Sequence, residues 1–84
     1  SNPVAAANLS DVLYRRGEYE RARFYIRRVN ASADVSNAQT LWLAARIEHK
    51  LGNQNAARDF GRQLRNRFPQ ANETMQFERG RYDD

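Results

Sequence analysis

One segment of this chain occurs twice, and the repeat restricts the fold more than any other feature. Residues 15–29, RRGEYERARFYIRRV, are followed by residues 49–64, HKLGNQNAARDFGRQL, which carry similar residue types at a constant offset of 35 positions. The matched pairs are Gly17 and Gly52, Ala22 and Ala57, Tyr25 and Phe60, and Val29 and Leu64. A period of roughly 20 to 50 residues is typical of arrays in which small similar units stack on one another.

Each unit is predicted to contain two helices joined at a glycine. Asn2 can accept hydrogen bonds from the first turn of a helix, and Pro3 fits the first helical position, where no N–H is needed. Gly17 supplies the left-handed conformation that ends a helix. A second helix is expected over about residues 18–30, followed by a connector of small polar residues.

The second unit follows the same plan. Asn37 is expected to cap a third helix that ends at the next glycine, and Pro69 follows the end of a fourth. Asn72 is expected to cap a short last helix, and Gly80 ends it. Residues 82–84 form an acidic tail that is expected to fray. Nothing in the pattern indicates a strand, so the chain is predicted to be all-α.

The repeat resembles the tetratricopeptide (TPR) signature of W-x-x-L-G-x-x-Y, then A-x-x-x-F, then proline. The matching structural positions are Leu9, Ser10, Gly17, Ala22, Ala45, Gly52, Ala57 and Pro69. Small residues at helix crossings let the two helices of a unit approach closely. Two departures stand out, since Gly61 occupies the place of a large aromatic residue and the first unit lacks the proline. The resemblance implies an all-α TPR solenoid in a single domain, 1–84, with units over 3–34 and 38–69 and a capping helix over 72–80.

The composition favours a binding role over chemistry. The chain has no cysteine and one histidine, His49, so we expect no metal site, no cofactor and no catalytic set. The formal net charge is +4, but ten acidic residues alternate with the basic ones at helical spacing, which is typical of a solvated helix face. Nucleic acid is not expected as a partner, because no aromatic residues are interleaved along the basic stretch. No apolar run is long enough to span a membrane, and no signal-peptide pattern is present.

The TPR resemblance also implies where a protein partner would bind. In that family the second, fifth, ninth, twelfth and thirteenth positions of a unit line the concave side. Carried onto this chain, they are Val4, Ala7, Asp11, Tyr14 and Arg15, then Gln39, Trp42, Arg46, His49 and Lys50. Trp42 beside Arg46 is typical of a binding hot spot. Burial of Trp42 between units, in competition with its leucine neighbours, is an equally good interpretation. Ala7 and Asp11 disfavour the clamp that some TPR proteins use for a peptide's terminal carboxylate.

The second half of the chain resembles a narrower family. It contains, in order, Leu51-Gly52, Ala56-Ala57, the step from Leu64 to Phe68-Pro69, and a tail bearing Glu73, Phe77 and Gly80. These motifs are similar to the closing repeat of the type IV pilus biogenesis and stability lipoproteins. These are the TPR pilotins called PilF or PilW. The resemblance implies a protein anchored by a lipid to the periplasmic face of the bacterial outer membrane, where it assists assembly of the secretin. The lipidated cysteine of that family is absent from this chain.

Two other functions stay open, a generic bacterial TPR adaptor of another assembly or secretion system and, less favoured, a basic nucleic-acid-binding module. The sequence starts at Ser1 rather than at Met, so we expect it to be a piece of a longer protein. Exposed apolar surface promotes association. The apolar positions of the first helix are Ala5, Ala6, Leu9, Val12 and Leu13. We therefore expect the isolated chain to form a homodimer through its N-terminal helix.

Overall fold

The computed structural model describes residues 2–83, which form five α-helices and no strand. The helices are α1 (Pro3–Arg15), α2 (Tyr19–Asn30), α3 (Ala38–Lys50), α4 (Gln54–Arg67) and α5 (Asn72–Glu78). The prediction of an all-helical chain is confirmed. The helix ends also lie within one or two residues of the predicted ones, because the caps and glycines that set them are explicit in the sequence.

Two asparagines cap helices as predicted. The N–H groups of Val4 and Ala5 donate to Asn2 Oδ1 at 3.0 and 3.3 Å. At α3, Thr40 N–H donates to Asn37 Oδ1 at 2.9 Å, and Asn37 N–H donates back to Thr40 Oγ1 at 2.8 Å, a complete capping box. The prediction for Asn72 is wrong, since this residue is the first of α5 and Ala71 occupies the cap position. Ala71 is extended and offers no side-chain acceptor.

The same glycine turn ends three helices. Gly17, Gly52 and Gly80 have φ of 82°, 80° and 67°, a region that costs little only for glycine. At the first turn, Gly17 N–H donates to Tyr14 O at 3.0 Å and Glu18 N–H donates to Leu13 O at 2.9 Å. This pair of bonds is the Schellman arrangement, and the other two turns repeat it.

The turns fold the chain into two helical hairpins, α1 with α2 and α3 with α4. Each hairpin has small residues where its helices meet. Ser10 and Ala22 are fully buried in the first hairpin, and the Ser10 hydroxyl donates to Ala22 O at 2.7 Å. Ala45 and Ala57 are fully buried in the second. Larger side chains at these positions would separate the helices and remove the core contacts on both sides.

The hairpins pack on each other through α2 and α3. Their shared core includes Leu13, Ile26, Val29, Ala44 and Ile47. Burying aliphatic side chains of this size stabilises a fold by about 1.5 to 3 kcal/mol each. This apolar contact is what joins the two halves of the chain into one core.

One buried carboxylate also bridges the hairpins. Glu48 is 2% exposed, and its Oε1 accepts a hydrogen bond from Asn53 Nδ2 at 2.8 Å. Its Oε2 lies 3.2 Å from Arg23 Nε on α2, which is ion-pair distance without the angle of a hydrogen bond. Arg23 also faces the exposed Glu20 at 3.6 Å. Burial of Glu48 is not expected from the sequence, because acidic residues on helices are normally solvated.

Helix α5 packs against α3 and α4, and it explains the unexpected glycine in the second unit. The ring of Phe77 lies directly over Gly61, in the space that a Cβ on Gly61 would enter. The Phe77 ring thus fills the space left by the missing side chain at position 61. The Thr74 hydroxyl donates to Phe68 O at 2.6 Å and fixes the start of α5 on the end of α4.

The opposite end of the array is open. Val4, Phe24 and Val12 are 67%, 58% and 41% exposed, and Leu9 is also exposed. Leu13 is different, because it is 3% exposed and lies in the shared core. The expectation that Leu13 contributes to the exposed apolar surface of α1 is therefore wrong.

Candidate functional site

A groove runs between α1 and α3 and is closed at one end by α5. Its cavity has a volume of about 330 Å³. Ala7, Asn8 and Asp11 line it from α1, and Glu73 lines it from α5. The α3 wall consists of Gln39, Thr40, Trp42, Leu43 and Arg46. The groove brings together residues from both hairpins, so it exists only when the two hairpins are packed.

Arg46 contacts three aromatic residues in this region. Its guanidinium lies 4.9 Å from the ring centre of Tyr14 and 6.0 Å from that of Trp42. Both distances are within the range of a cation–π interaction. Its Nε donates to Tyr82 O at 2.7 Å. Arg46 is therefore held beside two aromatic rings while part of it stays exposed at the groove.

Trp42 contributes to the core and to the site together. It is 7% exposed and packs with Leu41, Ala45 and Leu64. Its ring is also stacked on Tyr82, with centroids 5.3 Å apart and planes 25° apart. In the described structure Trp42 is a packed residue, and the Tyr82 contact covers it.

The C-terminal tail, residues 79–83, lies against the C-terminal half of α3, next to the groove. Tyr82 stacks on His49, with centroids 4.1 Å apart and planes 6° apart, and Phe77 meets the Tyr82 ring edge-on at 6.5 Å. Asp83 Oδ1 lies 2.5 Å from Lys50 Nζ. The expectation that the tail frays is wrong for Tyr82 and Asp83, since an aromatic slot and a cation hold them. Asp84 lies outside the described residues.

The charges of the tail fit its position. The hydrogen bond with Lys50 lowers the pKa of Asp83, and the nearby His49 and Arg46 act in the same direction. The same bond raises the pKa of Lys50. Burial raises the pKa of the Tyr82 phenol, because the stack disfavours the phenolate. Each shift favours the charge state present near neutral pH.

The residues predicted to face a partner do not all line the groove. Ala7, Asp11, Gln39, Trp42 and Arg46 line the groove. Val4 lines a neighbouring cavity that also contains Ala7 and Gln39. Tyr14 is buried beneath Arg46, and Arg15 pairs with Asp11 at 3.0 Å. His49 and Lys50 contact the tail rather than the groove. His49 Nδ1 is also 3.4 Å from Gln54 Oε1.

Tyr82 and Asp83, which contact α3 of the same chain, were not predicted from the sequence as site residues. The available signal was an aromatic residue followed by an acid, one residue after the glycine that ends α5. Glu73 was named only in the tail that resembles the pilotin family, yet it lines the groove.

The site offers hydrogen-bond donors, aromatic faces and charges of both signs. Within residues 2–83, no group of three or more histidine and acidic side chains could hold a metal ion. No helix in this part of the chain is long and apolar enough to cross a membrane. The arrangement is suited to binding a peptide segment, with aromatic and charged contacts that fix its register.

Comparison with known proteins found no match among family models, curated proteins or solved structures.

Proposed function

We propose that this chain is a protein–protein interaction module built from two TPR units and a capping helix. The support for TPR units is the equivalence of positions 35 residues apart. Gly17 and Gly52 have nearly the same φ, and the small residues Ser10 and Ala45 are buried at equivalent helix crossings. The departure at Gly61 is compensated in space by Phe77.

The observation that carries an interaction role is the groove between α1 and α3. The first helices of the two units line it, as the concave side of a TPR array requires. Arg46 and Trp42 are the residue types most often found at binding hot spots, and they lie side by side at its edge. Several arginines of the hairpins pair with neighbouring acids, as in Arg15 with Asp11 and Arg21 with Glu18. This pairing favours a protein partner over nucleic acid.

We further propose that the parent protein is a pilotin of the type IV pilus, at the periplasmic face of the outer membrane, whose partner is the secretin. The support is the order of sequence motifs from Leu51-Gly52 to the tail after Pro69. In this function the present repeats supply a groove and close one end of the array. The protein acts by binding during assembly and not by catalysis.

The test uses the parent protein in its own cell envelope. Gln39 is exposed on the groove wall, so Gln39→Arg blocks the groove without removing a core contact. Gln63→Arg is the matched control, because Gln63 is an exposed glutamine on α4 that does not line the groove. We expect Gln39→Arg to reduce co-purification with the secretin and the amount of secretin multimers, while Gln63→Arg leaves both unchanged.

Two results would contradict these proposals at different levels. If the parent protein co-purifies with another assembly complex and not with the secretin, the function is that of a generic TPR adaptor. If Gln39→Arg and Gln63→Arg behave alike toward every partner, the groove is not an interaction site.

A further inference from the structure

The tail contacts three kinds of group on α3, which are an aromatic slot, a hydrogen-bond donor and a cation. Trp42 and His49 provide an aromatic slot that holds the ring of Tyr82. Arg46 donates to a backbone carbonyl, which any peptide offers at that position. Lys50 pairs with the carboxylate of the next residue. Together they select a sequence in which an aromatic residue is followed directly by an acidic one.

The hold on the tail is weak enough to be reversible. Both Asp83 and the preceding residues, Arg79 to Arg81, are exposed, and Lys50 is exposed as well. Ion pairs between exposed groups contribute little to stability, so the aromatic stack supplies most of the attachment. Releasing Tyr82 leaves the shared core of the hairpins intact. Tyr82 packs on the edge of the cluster formed by Leu41, Trp42, Ala45 and Leu64, so the tail is a detachable occupant of that edge.

The groove continues beyond the part of α3 that the tail covers. Tyr82 contacts the stretch from Trp42 to His49 and Asp83 contacts Lys50, so the tail runs in the same direction as α3. None of residues 79–83 lines the groove, because the tail arrives from α5. A longer peptide in the same register would place its earlier residues along Gln39, with Asp11 and Glu73 nearby. The Glu73 carboxylate at that end favours a basic residue there, whereas Asp11 already pairs with Arg15.

We propose that the face of α3 formed by Trp42, Arg46, His49 and Lys50 is a recognition site for a partner peptide with an aromatic residue followed by an acidic one and preceded by a basic residue, and that Tyr82 and Asp83 compete for it in cis. The inference rests on the interaction function proposed above and adds the chemistry of the partner segment. The tail also weakens binding of a partner, because the partner has to displace a segment whose local concentration is fixed by the chain.

The experiment measures binding of a short probe to the 84-residue chain. The probe is a fluorescein-labelled, amidated peptide with the sequence of residues 79–83, RGRYD. Its binding is measured by fluorescence anisotropy. The receptor is the chain with Tyr82→Ala and Asp83→Ala, which loses both tail anchors and keeps every helix. We expect this variant to bind the probe at least about tenfold more tightly than the unaltered chain, because the intramolecular competitor is gone.

Matched changes separate recognition from general attraction. In the receptor, Lys50→Glu should weaken binding about tenfold, while Lys50→Arg should retain it, since only the former reverses the charge that meets the acid. In the probe, replacing tyrosine with alanine or the final aspartate with lysine should each reduce binding. Circular dichroism of every receptor variant checks that the helices are formed.

Three outcomes would overturn the proposal. One is a helical receptor variant that does not bind the probe, and another is equal binding to the unaltered chain. The third is a doubled mass of the unaltered chain in light scattering that is lost in the Tyr82→Ala, Asp83→Ala variant, which would assign the site to the tail of a second copy. None of these affects secretin co-purification, so failure here is distinct from failure of the proposed function.

Discussion

Tyr82 lies parallel to His49 at a centroid distance of 4.1 Å and also stacks on Trp42 at 5.3 Å, so two turns of α3 share a single tail residue. Trp42 is the one tryptophan of the chain. Its fluorescence therefore reports directly whether the tail is docked, and the docked and released states can be followed without a label.

Acid is expected to weaken docking of the tail by the small contribution of its ion pair. Because Lys50 lowers the pKa of Asp83, this pair stabilises docking above the ordinary aspartate pKa of about 3.9, and the contribution is lost as the pH falls through the lowered value. Trp42 fluorescence should therefore change in an acid titration while far-ultraviolet circular dichroism still shows helix. Asp83→Asn removes the carboxylate and should abolish this step. Glu78, whose pKa is lowered by Arg65, titrates in the same direction, so Glu78→Gln is the second control. An unchanged acid transition in Asp83→Asn would contradict the assignment.

Gly61→Ala is expected to destabilise the chain, although alanine normally stabilises a helix relative to glycine by about 0.5 to 1 kcal/mol. The reason is that the new Cβ enters the space of the Phe77 ring. Overpacking of this kind costs about 1 to 3 kcal/mol. Urea unfolding measures the sign of the change. In a Phe77→Ala background the clash is gone, and the same Gly61→Ala substitution should become neutral or stabilising. Stabilisation in the unaltered chain would show that Phe77 does not lie over Gly61.

Arg23 faces two glutamates of opposite burial, which gives a matched comparison. Glu48→Ala removes the buried partner and leaves Asn53 without an acceptor, so we expect a loss of about 1 to 3 kcal/mol in the free energy of unfolding. Glu20→Ala removes the exposed partner at 3.6 Å and should cost less than about 0.5 kcal/mol. Chemical denaturation of the two variants provides the test. Equal losses would mean that the carboxylate at position 48 does not bridge the hairpins.

The open face of the first hairpin is expected to promote self-association of the isolated chain, with a symmetric dimer as the simplest arrangement. Light scattering over a concentration series measures it. Val12→Glu should reduce the mass to that of a monomer, because Val12 is 41% exposed on α1. Met75→Glu is the control, since Met75 is 44% exposed on α5, at the other end of the array. A constant monomer mass of the unaltered chain at high concentration would refute the dimer.

The helices and turns could be predicted from the sequence because their determinants are local. Asn2, Asn37 and the glycines at positions 17, 52 and 80 act on residues a few positions away, and the structure places all of them at helix ends. Asn72 failed as a cap because the start of α5 is set by contacts with α4, such as the bond from Thr74 to Phe68.

The site was less accessible to sequence reasoning because its contacts are long-range. The family positions on α1 and α3 pointed to the groove residues, but nothing local links Tyr82 to Arg46, 36 residues earlier. The same holds for Gly61 and Phe77, where the sequence shows a missing aromatic residue and only the structure shows which ring replaces it.

The three glycine turns also bear on the order of folding. Each closes through hydrogen bonds within five residues, so a hairpin forms with little loss of chain entropy and its helices are neighbours in sequence. Chains dominated by such local contacts fold in microseconds to milliseconds. The tail docks late, because it reaches its slot on α3 only after α4 and α5 have packed against α3. We therefore expect docking of Tyr82 to be the last event of folding and its release to be the first event of unfolding.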